Sequence, residues 1–289
     1  MKVLITGAKG QVGSELVSQA AKLGHEVIAT ERAQLDITKN QLIQEFVTKT
    51  KPDVIINAAA YTAVDNAETE QDTAYKINAE AVNYLSKACK ALDIPLLHIS
   101  TDYVFDGSKS EPYREDDPVC PVNLYGASKR KGEEYLEQSG AKYINLRTSW
   151  VFGLQGNNFV KTMIRLAKER DEFGVIDDQI GGPTFARDIA SALLKIAEKT
   201  MATGFNNWGT YHFSGMPYVS WWEFAEFAIQ TSLNLGYLHK LPKVKKLTTD
   251  QYPTPANRPN NSCMSIQKIQ TNFGIEGSDW KAGVKLLVS

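Results

Sequence analysis

Tyr125 and Lys129 stand four residues apart in the stretch "YGASK", with only small residues between them. On a helix that spacing puts both side chains on one face, with Cβ atoms about 6 Å apart. A lysine charge at about 6 Å, in an effective dielectric of about 20, favours the phenolate by roughly 2.8 kcal/mol. The spacing therefore predicts a phenol pKa about two units below its usual value of about 10, and so a proton donor for a carbonyl oxygen. The plain alternative is a surface Tyr–Lys contact. Upstream, "HISTDYVF" (98–105) puts Thr101 just past a short apolar run, where its hydroxyl could reach the same carbonyl.

A second group of residues points to a nucleotide. "TGAKGQVG" carries Gly7, Gly10 and Gly13 between an apolar run and an amphipathic stretch. A glycine trio at a strand-to-helix turn lets the backbone approach a pyrophosphate and places it on the helix N-terminus. The alternative is a tight turn with no ligand. Beyond the second apolar run comes "TER". Glu31 suits the hydroxyls of an adenine ribose, whereas Arg32 suits a 2′-phosphate. Both are present, which predicts NADP(H) as cofactor with NAD(H) possible. Asp36, in "LDIT", falls either beside the adenine or at a helix N-terminus.

These residues need a scaffold that brings them together. "KVLIT" (2–6), "EVIAT" (26–30), "DVIINAA" (53–59), "PLLHIS" (95–100) and "YINLRTS" (143–149) are rich in Val, Ile and Leu without strict alternation, as strands covered on both faces are. Helical stretches lie between them, including 11–24 and 75–93. This alternation predicts an α/β fold, a Rossmann-type doubly wound parallel sheet, with ligands at the carboxyl ends of its strands. After about Gly153 the rhythm changes. Helices are expected over 157–170 and 187–199, and "QYPTPANRPNNS" (251–262) is too rich in Pro and Asn for regular helix or central strand. We expect a dinucleotide-binding domain over 1–153 and a smaller substrate-binding lobe over 154–289, partly interleaved with it.

The bulk composition excludes other classes. With 32 basic and 33 acidic residues the net charge is −1, so no nucleic-acid partner is expected. "KVKK" (243–246) reads as a solvated face. Cys89, Cys120 and Cys263 have no metal-ligand spacing and read as free thiols of a cytoplasmic protein. No apolar run approaches the roughly 18 residues of a membrane span.

Taken together, "TGAKGQVG", "NAAAYTAVDNAE", "STDYVFDG", "YGASK", "LRTSWVFG", "GGPT" and "PTPANRP" resemble the extended short-chain dehydrogenase/reductase family, and within it the dTDP-4-dehydrorhamnose reductase branch. The resemblance implies reduction of the 4-keto group of a dTDP-sugar. It implies Tyr125 as proton donor, Lys129 on the nicotinamide ribose and Thr101 on the substrate carbonyl. Gly10, Gln11 and Val12 would meet the pyrophosphate, and Ala60, Tyr61 and Thr62 the ribose side of the cofactor. Asp102 and Trp150 would contact the sugar and Arg258 its diphosphate. For Trp150 the alternative is a core position; for Arg258, plain exposure.

The chain departs from the pattern at one point. Some members carry an acid that helps hold Mg²⁺ between subunits where this chain has Arg187, although Glu15 remains. Arginine cannot ligate a metal, so no metal site is expected and the chain is read as monomer or homodimer. Sugar-nucleotide dehydratases of this fold carry Asp-Glu after the threonine, whereas Asp102 is followed by Tyr103. A nucleotide-sugar epimerase of the same fold is an alternative. So is a non-catalytic NADP-binding regulatory subunit like that of methionine adenosyltransferase, against which stand Thr101, Tyr125 and Lys129.

Overall fold

The computed structural model describes residues 1–289. Six parallel strands form the central sheet: β1 (Lys2–Thr6), β2 (Glu26–Thr30), β3 (Val54–Asn57), β4 (Leu96–Thr101), β5 (Tyr143–Thr148) and β6 (Gly209–His212). Their order is β6-β5-β4-β3-β1-β2. The chain runs outward from β1 to β2, then returns to lay β3 on the other side of β1. That reversal opens a crevice at the carboxyl ends of β1 and β3.

Helices cover both faces because the strands are apolar on both. Val3 and Ile5 of β1 pack with Leu16 of α1 (Gln11–Lys22) and with Ile189 and Leu193 of α6 (Ala186–Thr200). Leu4 points the opposite way, onto Ile43 of α2 (Asn40–Thr50) and Leu85 of α3 (Ala81–Leu92). The same layer receives α4 (Leu124–Ser139) through Leu136. A separate core, with Phe152, Phe224 and Trp280 at its centre, joins α5 (Phe159–Glu169), α7 (Trp221–Asn234) and the C-terminal helix Trp280–Val288.

The doubly wound sheet expected from the apolar runs is present, and the strand starts at Lys2, Glu26 and Tyr143 coincide with it. Two elements escaped the sequence pattern. β6 is only four residues long, and it pairs with β5 from beyond residue 153. "KVKK" is not merely a solvated face: Lys243–Leu247 is a strand, parallel to Glu172–Ile176. Its lysines are exposed but paired, Lys243 with Glu172 and Lys246 with Asp177. Lysine is tolerated there because an edge strand gains from charges that discourage further pairing. The three cysteines are free. No helix is long and apolar enough to cross a membrane.

One ionic contact lies inside this fold. Glu133 of α4 and Arg147 of β5 are 1% and 2% exposed. The guanidinium reaches both carboxylate oxygens, Nη2 to Oε2 at 2.7 Å and Nε to Oε1 at 2.8 Å, and Asn145 Nδ2 donates to Oε1 at 3.0 Å. Burial alone would push the Glu133 carboxyl up, but Arg147 and Asn145 outweigh it and hold it down at about 2. Removing one member strands the other as a buried charge. Glu133→Ala is therefore expected to cost about 3–5 kcal/mol in urea unfolding at pH 7. The double variant Glu133→Leu/Arg147→Met should recover most of that loss. Because the acid's pKa is depressed, the pair's contribution is complete above the usual glutamate range and disappears as pH falls towards 2.

Candidate active site

Two cavities meet along the carboxyl ends of β1, β3 and β4. One, of about 310 Å³, is lined by Glu31, Arg32, Asp36 and Thr38. The other, of about 610 Å³, is lined by Thr101, Asp102, Tyr125, Lys129 and Trp150. They share Lys9, Gly10 and Ala58 to Ala60, so together they form one groove from the β2 end to the lobe.

The junction suits a pyrophosphate. α1 starts after Gly10 with no side-chain cap on its first N–H groups and no acid in its first turn. Gln11 and Val12 line the groove at that open end. A Cβ built on Gly10 would touch only the Gly7 carbonyl, at 3.2 Å, so a side chain there would project into the cradle an anion needs. Gly13 lies against Gly7 rather than in the groove, as close helix–strand packing requires. At the β2 end Glu31 is engaged by Lys9 Nζ at 2.8 Å. Arg32 is 83% exposed and held only loosely, its Nε 3.7 Å from Asp36 Oδ2. Asp36 accepts from Thr38 N and Oγ1 at 3.0 and 2.7 Å, so it turns the backbone while also lining the pocket. Lys9 escaped the sequence reading; a basic residue inside the glycine loop was its signal.

The catalytic candidates gather from two elements. Thr101 ends β4, its hydroxyl donating to Asp102 Oδ1 at 3.0 Å and accepting from Tyr103 N at 3.2 Å. α4 is held at its start by Asn123, whose Oδ1 accepts from Gly126 N at 2.7 Å, and by Glu68, which accepts from Leu124 N at 2.9 Å. The small residues between Tyr125 and Lys129 have a reason. A Cβ on Gly126 would stand 2.1 Å from the Tyr103 carbonyl oxygen. Ser128 Oγ accepts from Asn78 Nδ2 at 3.0 Å. Asn78, in a single π-helical turn (Lys76–Glu80), also exchanges hydrogen bonds with Tyr61 N and O at 2.9 and 3.0 Å. It thereby ties the segment after β3 to α4. Ala60 and Thr62 of that segment face the groove. Asn78 escaped the sequence reading, and a polar residue buried within a helix was its only signal.

The predicted Tyr–Lys coupling needs correction. Burial pushes the Tyr125 phenol up to about 12, Thr101 opposes this and Asp102 adds to it. Lys129 exerts no resolved pull, because its amine turns away to donate to the Ile99 carbonyl at 2.6 Å. Burial in turn lowers Lys129 to about 8, against the pull of Glu133. Desolvation, rather than a charge shared along one helix face, dominates both groups.

At the lobe end Trp150 stacks on Trp221, centroids 3.6 Å apart and planes at 9°. Trp150 holds φ at +46°, which is unfavourable for a side chain of its size. Trp221, missed in the sequence, lines the same cavity. Asp102 Oδ2 and Thr148 Oγ1 are buried without a hydrogen-bond partner beside it. Arg258 does not line this cavity. It is bound to Asp65 Oδ2 at 2.8 Å and to the Ala256 carbonyl at 3.1 Å. Arg187 and Glu15, the departure noted for the metal, face each other at 4.0 Å, so that acid already has a cation beside it.

The family model described as the RmlD substrate binding domain matches residues 1–289. The chain belongs to this family. A dTDP-4-dehydrorhamnose reductase of Aggregatibacter actinomycetemcomitans is 49% identical over 285 residues, 98% of this chain and 97% of that protein. The crystal structure of a dTDP-4-dehydrorhamnose reductase from Clostridium acetobutylicum superposes with a TM-score of 0.92 at 39% identity, covering 100% of this chain and 98% of the other. One from Bacillus anthracis, solved with NADP, gives 0.90 at 37% identity with 99% of each chain covered.

Asp102 carries a measurable cost in this family scaffold. Burial raises its carboxyl from 3.8 to about 6, against the hydrogen bond from Thr101. A raised carboxyl opposes folding above its unfolded pKa, so stability falls as pH climbs from about 4 to 6 and the penalty is complete above that. Asp102→Asn should therefore raise unfolding stability at pH 8 by about 1–3 kcal/mol and leave it unchanged at pH 3. Thermal unfolding at the two pH values checks this.

Proposed function

We propose that this protein is an NADPH-dependent reductase that converts the 4-keto group of dTDP-4-dehydro-L-rhamnose to the alcohol of dTDP-L-rhamnose, a precursor for cell-surface polysaccharide. One observation carries the reading: Thr101, Tyr125 and Lys129 line the same groove as the uncapped N-terminus of α1. In this reading residues 1–153 carry the cofactor and 154–289 the sugar, with β6 and α6 crossing back to the sheet. The names of the full-length relatives support the choice of sugar.

A bound reduced nicotinamide supplies the hydride. The chain's own groups handle the oxygen. A phenol held near 12 stays protonated throughout the neutral range and so remains a donor. The ketone oxygen takes its proton from Tyr125, and the Thr101 hydroxyl, once turned from Asp102 Oδ1, donates to the same oxygen. Lys129 holds the ribose and carries the positive charge that compensates the phenolate that remains. Trp150 and Trp221 offer an apolar wall to one face of the sugar, while Asp102 and Thr148 supply unpaired acceptors for its hydroxyls. Arg258 reaches the diphosphate only by leaving Asp65. The chain acts as monomer or homodimer, without Mg²⁺.

The test is consumption of NADPH with the dTDP-4-keto sugar and identification of the product by NMR. A product epimerised with no net NADPH loss would reject the reading. Two variants sharpen it. Tyr125→Phe should lower kcat by about a hundredfold or more, the scale of a lost general acid, with NADPH affinity little changed. Arg32→Ala should weaken NADPH by about 1.5–3 kcal/mol and NADH much less, measured by fluorescence titration.

A further inference from the structure

A buried polar chain runs beneath the groove, across three strands to the catalytic helix. Thr6 Oγ1 donates to Asn57 Oδ1 at 2.5 Å, and Ala59 N donates to the same oxygen at 3.3 Å. With two donors on its oxygen, the Asn57 amide must turn its nitrogen to His98, where Nδ2 lies 3.0 Å from Nδ1. That nitrogen can only donate. His98 Nδ1 is therefore the acceptor, and the proton of a neutral imidazole sits on Nε2. Nε2 lies 3.5 Å from Lys129 Nζ. All four side chains, Thr6, Asn57, His98 and Lys129, are at most 2% exposed, so no solvent rearranges these roles.

We propose that His98 is a positioning residue for Lys129, its Nε2–H aimed at the lysine amine and favouring the form that offers a lone pair. Two donors would face each other if the lysine were charged; a neutral amine accepts from Nε2 while still donating to the Ile99 carbonyl. The 3.5 Å separation, at the edge of hydrogen-bond range, lets the charged form persist beside the imidazole. His98 thus lowers the cost of the neutral amine relative to the charged one.

The surrounding groups are few. From α4, Glu133 favours the charged lysine, and Tyr125 stands one turn away, with Asp102 acting on it. From β5, Arg147 is bound to Glu133. From β3 there is only Asn57. Burial and the lysine charge keep the His98 pKa well below its ordinary value, so the ring stays neutral. The inference rests on the proposed roles of Tyr125 and Lys129, but its first test does not.

The chain has four histidines, so ¹⁵N–¹H long-range correlation spectra of the ligand-free protein resolve each ring. His98 should show the neutral Nε2–H tautomer throughout pH 6–9. An Nδ1–H tautomer or an imidazolium overturns the proposal, whether or not the protein reduces the sugar. The second test is the alkaline limb of kcat/KM for reduction, where loss of the Lys129 proton ends activity. His98→Asn keeps a polar group near Asn57 but cannot reach the lysine. Without the donor the lysine holds its proton longer, so the limb should move up by about half to one pH unit. His98→Gln, whose amide reaches the Nε2 position, should keep the limb in place. Equal behaviour of Asn and Gln, shifted or unshifted, would mean that His98 only fills space.

Discussion

The wall of the groove formed by Tyr125 and Lys129 depends on the rotation of α4 about its own axis, and one buried ion pair governs that rotation. Glu133 follows Lys129 by four residues and Tyr125 by eight, so all three share a face. Arg147, planted on β5, an interior strand of the sheet, grips Glu133 with two parallel hydrogen bonds. A bidentate contact constrains direction as well as distance. With that face turned to the sheet, Tyr125 and Lys129 must rise at the carboxyl end of β4, where Thr101 ends the strand. Asn123 and Glu68 then prevent the first turn from fraying.

Dryness follows from the same arrangement. A helix pressed against a sheet carries Lys129 and Glu133 into an environment that penalises charge, and neighbouring partners decide which charges survive. Glu133 keeps its charge because Arg147 is rigidly placed. Asp102 has no cation and rises to about 6. Tyr125 rises to about 12 and Lys129 falls to about 8. The acid is thus pushed towards holding its proton and the base towards losing one. Pairs of groups driven apart in this way are where acid–base roles are found.

Much of this was legible in the residues. Apolar runs located five of the six strands, because a strand buried on both faces has little choice of residue. The glycine turn and "YGASK" declared themselves by spacing. What stayed hidden was tertiary. No local pattern pairs Glu133 with Arg147, fourteen residues and one turn of chain away, or tells that Asn78 will bridge Tyr61 and Ser128. The Tyr–Lys spacing gave the right face and the wrong electrostatics, since burial cannot be read from an i, i+4 interval. Nor does any local pattern show that Arg258, in its polar loop, pairs with Asp65, 193 residues away.

That last contact shows how the lobe is tied down. Asp65 also accepts from Ala256 N at 3.2 Å, and Asn123 Nδ2 donates to the Asn257 carbonyl at 2.7 Å. The proline-rich loop is therefore strapped both to the segment after β3 and to the cap of α4. Prolines lower the entropy lost in holding it there. Arg258 is only 21% exposed, so its stem is packed into the lobe while its guanidinium holds Asp65. Because the loop also touches the α4 cap, the placement of Arg258 and the seating of Tyr125 rest on the same few hydrogen bonds.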